Sequence, residues 1–152
     1  MAPLHLYLDT SVIGGFFDLE FAGPTQALFD RIERGDFRVY VSDVTRRELA
    51  PAPLRVRELL AQVPAAYLVN LLLTPEAEAL AAAYIAGHAL GQGSLADAQH
   101  IALASVNRLD VVVSWNFKHI VNLDRIRLFH AVNLQNGYPP VDIRSPLEFA
   151  EA

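Results

Sequence analysis

Three carboxylates and one amide occupy positions from which a metal-dependent phosphoryl chemistry could be assembled. Asp9 follows the apolar run Leu4-His5-Leu6-Tyr7-Leu8 and is followed directly by Thr10 and Ser11. Such a run reads as a buried strand, and Thr or Ser beside it reads as a helix cap, so Asp9 lies at a strand-to-helix junction. In open α/β sheets ligands bind at the carboxyl ends of the strands. A carboxylate buried there is costly unless it is paired or holds a cation. Glu48 lies shortly after a second apolar strand, Asp97 in the first turn of a later helix, and Asn116 just after a third strand. Ligation by oxygen alone, from two or three carboxylates, suits Mg²⁺ or Mn²⁺. Such ions lower the pKa of a bound water and stabilise charge on a phosphate. Each residue also has an ordinary reading. Asp97 suits a helix N-terminus, Glu48 a solvated helix face, and Thr10 and Ser11 a cap.

The elements that must position these groups alternate in type. Strands are expected over Leu4–Leu8, Arg38–Val41, Val69–Leu73, Leu109–Val113 and Arg127–Val132. Helices are expected from near Ser11, over Gln26–Arg34, after Ser42 or Asp43, over Leu54–Gln62, from Pro75 to Ala86 behind a Thr74 cap, and over Leu95–Arg108. Strands alternating with helices imply an α/β fold: a parallel four- or five-stranded sheet with helices on both faces. Residues 1–135 form one domain in this reading, and the Pro- and Gly-containing tail 136–152 packs on it. Asp9, Glu48 and Asp97 then share one edge of the sheet.

Size and composition narrow the class. A chain of 152 residues, 53% hydrophobic and 19% charged, can bury a substantial core as one domain. It has no cysteine, and no apolar run approaches the roughly 18 residues of a membrane span. No secretory signal is visible. A cytoplasmic location without membrane contact is expected. The net charge of −5 argues against a surface that grips nucleic acid all over, although a divalent ion inverts the field of an acidic cluster. Of the twelve basic residues only Lys118 is lysine. The five histidines show no zinc spacing.

Taken together, the motifs resemble the PIN-domain ribonucleases, in particular toxins of the VapC type. The carriers are Leu8-Asp9-Thr10-Ser11, the helix Val44-Thr45-Arg46-Arg47-Glu48-Leu49, the helix start Leu95-Ala96-Asp97-Ala98, and Val113-Ser114-Trp115-Asn116-Phe117-Lys118-His119. The resemblance spans Leu4 to about Leu134. It implies a single PIN-like α/β/α domain that hydrolyses RNA phosphodiesters with Mg²⁺ or Mn²⁺. Asp9, Glu48 and Asp97 would be the metal ligands, with Asn116 as a fourth catalytic position. Thr10, Ser11, Arg46, Ser114, Lys118 and His119 are candidates for substrate contact. A homodimer and a small antitoxin partner are also implied, with contact residues on the helices from Pro51 to Leu90. The family often has Asp where this chain has Asn116 and His119. That departure supports a second reading, a PIN-fold RNA-binding or interaction domain with weak or no cleavage. A phosphotransferase with Asp9 as nucleophile would suit a second Asp at position 11, which is Ser. His100, three residues after Asp97, shares its helix face and is either an orienting group or a structural one.

Overall fold

A computed structural model describes residues 2–149. Five parallel strands, β1 (Leu4–Leu8), β2 (Phe37–Ser42), β3 (Leu68–Leu71), β4 (Val111–Val113) and β5 (Asp142–Arg144), lie in the order β3-β2-β1-β4-β5. Seven α-helices connect them among the described residues: α1 (Thr10–Gly15), α2 (Ala22–Glu33), α3 (Asp43–Leu49), α4 (Leu54–Arg57), α5 (Pro75–Ala86), α6 (Leu95–Val106) and α7 (Leu123–Gln135).

Strand alternation divides the core in two. Leu6, Leu8, Val111 and Val113 point to the layer of α1 and α2, while Tyr7 and Val112 point to the layer of α5, α6 and α7. Both faces are covered, so β1 and β4 are near-continuous apolar runs. The strand order reverses between β1 and β4, which opens a crevice at their carboxyl ends.

Several elements differ from the sequence expectation. Residues Arg127–Val132 lie inside α7, not in a strand. The Asn122 side chain caps that helix by accepting from the backbone N–H groups of Asp124 and Arg125. Ile126, Phe129 and Asn133 recur at helical spacing, and Phe129 is fully buried. The fifth strand comes instead from the tail. Asp142–Arg144 is only three residues with one buried side chain, too short for a periodic signal. The segment expected as one helix over Leu54–Gln62 is α4 followed by a tight turn of 3₁₀ helix over Leu59–Gln62.

Helix α1 runs through Gly14 and Gly15, which are poor helix formers. Packing explains the second. A Cβ on Gly15 would lie 2.8 Å from the Trp115 ring and 3.2 Å from Thr25 Oγ1. Trp115 is stacked on Phe21 and donates from its indole to Thr25 Oγ1 at 2.9 Å, so the ring cannot yield. We expect Gly15→Ala to destabilise the protein by about 1–3 kcal/mol through overpacking, despite the better helix propensity of alanine. Thermal denaturation checks this; an unchanged or raised Tm would contradict it.

Candidate active site

The crevice between β1 and β4 is where side chains from four segments meet. Asp9 caps the end of β1, and its backbone N–H donates to the Val113 carbonyl, which pins the two strand ends together. The Asp9 side chain is buried, at 6% exposure. Its Oδ2 accepts from Ser11 Oγ at 2.7 Å and from Ser114 Oγ at 2.8 Å. Ser11 Oγ in turn accepts from the Trp115 backbone N–H, and Ser114 Oγ from that of Asn116. Two hydroxyls thus hold one oxygen of Asp9, and both are fixed by the chain that leaves β4.

Glu48 reaches the same place from α3. That helix starts at Ser42 with a capping box, in which Thr45 Oγ1 and the Ser42 backbone N–H are 3.1 Å apart. Glu48 Oε1 accepts from Thr10 Oγ1 at 2.7 Å and from His100 Nε2 at 2.5 Å. His100 is fully buried on α6, with Nε2 also 3.6 Å from Asp9 Oδ1 and Nδ1 2.6 Å from the Tyr7 hydroxyl. One ligand atom each from Asp9, Glu48 and His100 lies within 4.8 Å of the other two. Asp97 stands one helical turn before His100, beside this tight group. Its Oδ2 is 3.5 Å from Asn116 Nδ2, while Asn116 Oδ1 accepts from the His119 backbone N–H at 2.9 Å.

The charges are coupled. Burial raises the Asp97 carboxyl, and the negative charges of Asp9 and Glu48 raise it further, to about 6. Burial alone would lower His100, but the Glu48 hydrogen bond and the surrounding carboxylates outweigh it and raise the imidazole. Burial of Glu48 is likewise outweighed by its hydrogen bonds from His100 and Thr10, which hold it below the ordinary range. The donor set of hard oxygens with one imidazole nitrogen fits a divalent cation.

The sequence profile of the PIN domain matches residues 6–125. The chain belongs to the PIN domain family. No curated protein matches it. Solved structures share the fold. VapC20 of Mycobacterium tuberculosis, described as a sarcin–ricin loop cleaving toxin, is 15% identical, covering 75% of this chain and 92% of that one, with a TM-score of 0.58. VapBC2 of Rickettsia felis, bound to promoter DNA, is 10% identical over 93% of this chain and 98% of that one, with a TM-score of 0.60. DNA-bound VapBC of Salmonella typhimurium is 21% identical over 94% and 98%, with a TM-score of 0.54.

Within this PIN domain the sequence candidates divide. Asp9, Thr10, Ser11, Glu48 and Ser114 are joined by direct hydrogen bonds or shared partners, and Asn116 reaches Asp97. Arg46 lies elsewhere: its guanidinium donates to Asn70 Oδ1 at 2.8 Å, next to edge strand β3. Lys118 is exposed beyond Asn116, and His119 is half-buried with only its backbone N–H engaged by Asn116 among the described contacts. The group missing from the oxygen-donor reading is His100. The three-residue spacing from Asp97 was a usable signal, but the Tyr7 and Glu48 contacts that define its role are long-range.

The raised Asp97 carboxyl sets a pH signature. Its folded value of about 6 exceeds the ordinary one, so the folded protein holds the proton more tightly than the unfolded chain. This contribution favours folding at low pH and is lost as pH rises towards 6. At about 1.4 kcal/mol per pKa unit, and discounted for partial exposure, Asp97→Asn should stabilise the metal-free protein above pH 6 by on the order of 1–2 kcal/mol. The gain should fade towards pH 4. Chemical denaturation in chelator across this range checks it, and a pH-independent difference would contradict it.

Proposed function

We propose that this PIN domain is a metal-dependent endoribonuclease that hydrolyses RNA phosphodiester bonds, the toxin of a toxin–antitoxin pair. The observation that carries the reading is the convergence of Asp9 and Glu48, with Asp97 beside them, at the strand-order reversal of the sheet. Asp9, Glu48 and Asp97 would hold Mg²⁺ or Mn²⁺. When bound, such an ion supplies charge neutralisation at the phosphate and activation of the attacking water. The protein's own groups do the positioning. Ser11 and Ser114 orient Asp9, Thr10 orients Glu48, and the Asn116 amide faces Asp97. Lys118, exposed just past Asn116, is the candidate to meet a substrate phosphate as a point charge.

The partner proposal draws on the structural likeness to VapBC assemblies. A small antitoxin and a second copy of the chain are the proposed partners, in the cytoplasm. No helix among the described residues is long and apolar enough to cross a membrane. Leu54 and Leu72, at 57% and 73% exposure, lie in the Pro51–Leu90 stretch and offer apolar surface for such contacts.

Purified protein incubated with total RNA should cleave it when Mn²⁺ or Mg²⁺ is present and stop when chelator is added. Asp9→Asn should lose at least about 100-fold in rate while keeping its fold by circular dichroism. RNA binding with no cleavage under any divalent ion would replace this reading by that of a non-catalytic RNA-binding PIN domain, which Asn116 and His119 would then explain.

A further inference from the structure

The His100 ring is fully buried, so it cannot swing away to solvent. Its nitrogens face opposite ways. Nδ1 meets the Tyr7 hydroxyl at 2.6 Å, and that hydroxyl meets Ser42 Oγ at 2.8 Å. Nε2 faces Glu48 Oε1 at 2.5 Å and Asp9 Oδ1 at 3.6 Å. An ion shared by the two carboxylates therefore meets a ring nitrogen that the core holds in place.

The Tyr7–Ser42 pair can serve either tautomer, because hydroxyls rotate and both donate and accept. With the proton on Nε2, Tyr7 donates to Nδ1. With the proton on Nδ1, Tyr7 accepts it and donates on to Ser42 Oγ, and the Nε2 lone pair points at the acids. Burial pushes the Tyr7 hydroxyl far above the ordinary tyrosine range, so it stays neutral in either case. Metal-binding histidines usually have their other nitrogen fixed by such a partner.

We propose that His100 Nε2 is a direct ligand of the ion held by Asp9 and Glu48, positioned by Tyr7, and that this nitrogen–oxygen set selects Mn²⁺ and later first-row ions against Mg²⁺. Mg²⁺ is a hard ion that favours oxygen, whereas imidazole binds increasingly well along the first-row series from Mn²⁺. From the imidazolium, the proton that Nε2 shares with Glu48 leaves when the ion enters, as ligand protons generally do, and Nδ1 keeps its own, donated to the Tyr7 hydroxyl. The inference rests on the metal-site reading above, but not on RNA as the substrate.

Electron spin-echo spectroscopy of the Mn²⁺-loaded protein tests it without any RNA. The wild type should show nitrogen modulation from a directly bound imidazole, and ¹⁵N-histidine labelling should change that signal. His100→Gln should abolish it and, in calorimetric titrations, narrow the Mn²⁺ over Mg²⁺ preference by roughly tenfold or more. Tyr7→Phe should keep the nitrogen signal while weakening Mn²⁺ binding ~10–100-fold. The labelling experiment needs no variant and stands even if His100→Gln fails to fold. Mn²⁺ bound with no nitrogen modulation would overturn the role of His100 and leave the carboxylate site intact. Failure to bind Mn²⁺ at all would overturn both. Nitrogen-bound Mn²⁺ in a protein that does not cleave RNA would uphold this inference and count against the nuclease reading.

Discussion

A carboxylate taken out of water at the end of a buried strand must be compensated, and in this domain that requirement organises everything around Asp9. An unpaired buried carboxylate would neutralise itself or destabilise the fold by several kcal/mol. Asp9 instead receives two hydroxyl hydrogen bonds, from Ser11 on its own side of the crevice and from Ser114 on the other. Both hydroxyls are anchored by backbone N–H groups of the chain leaving β4. The β1–β4 pairing, the first turn of α1 and the start of the loop after β4 are thereby tied to a single side chain. Gly15 and Trp115 extend the same dependence outward, since the indole that follows Ser114 needs the space left by the missing Cβ.

The second half of the site is joined by a chain of polar groups through the other layer. Alternation along β1 sends Tyr7 to the side opposite Leu6 and Leu8, towards α6. There it meets both His100 and Ser42, the residue that caps α3. The α3 cap, the α6 imidazole and the β1 hydroxyl therefore set the direction of Glu48 together. A change in any one of them alters a contact to the carboxylates without touching the carboxylates themselves. Burial raises Asp97, the repulsion of the neighbouring acids across this crevice raises it further, and the positive charge of His100 offsets part of that repulsion.

Much of this was legible in the sequence because buried parallel strands carry a strong apolar signal and their ends are marked by Asp, Ser or Thr. Leu4–Leu8 and Leu109–Val113 stand out as apolar runs, the second forming β4 over Val111–Val113, and with them Asp9 and Ser114. The Thr74-Pro75 start of α5 was equally plain, and the Thr74 side chain does accept from the Ala77 N–H. Residues 127–132 mislead because a short window holding Leu128, Phe129, Ala131 and Val132 fits two periods. The cap at Asn122 decides between them, and it lies outside the window. The β5 strand has almost no signal of its own and exists because β4 offers it an edge. His100 reads in the sequence as either an orienting group or a structural one, and cannot be placed further because its role depends on Tyr7, 93 positions away.

The central claim is that the crevice between β1 and β4 holds the divalent ion, with Asp9 as its fixed point. Anomalous diffraction at the manganese edge, from crystals grown or soaked with Mn²⁺, tests that directly. The account predicts a single region of anomalous density bounded by the side chains of Asp9, Glu48 and Asp97, and its loss in Asp9→Asn crystals. Density elsewhere on the molecule with this crevice empty at saturating Mn²⁺, or density unaffected by Asp9→Asn, would contradict it.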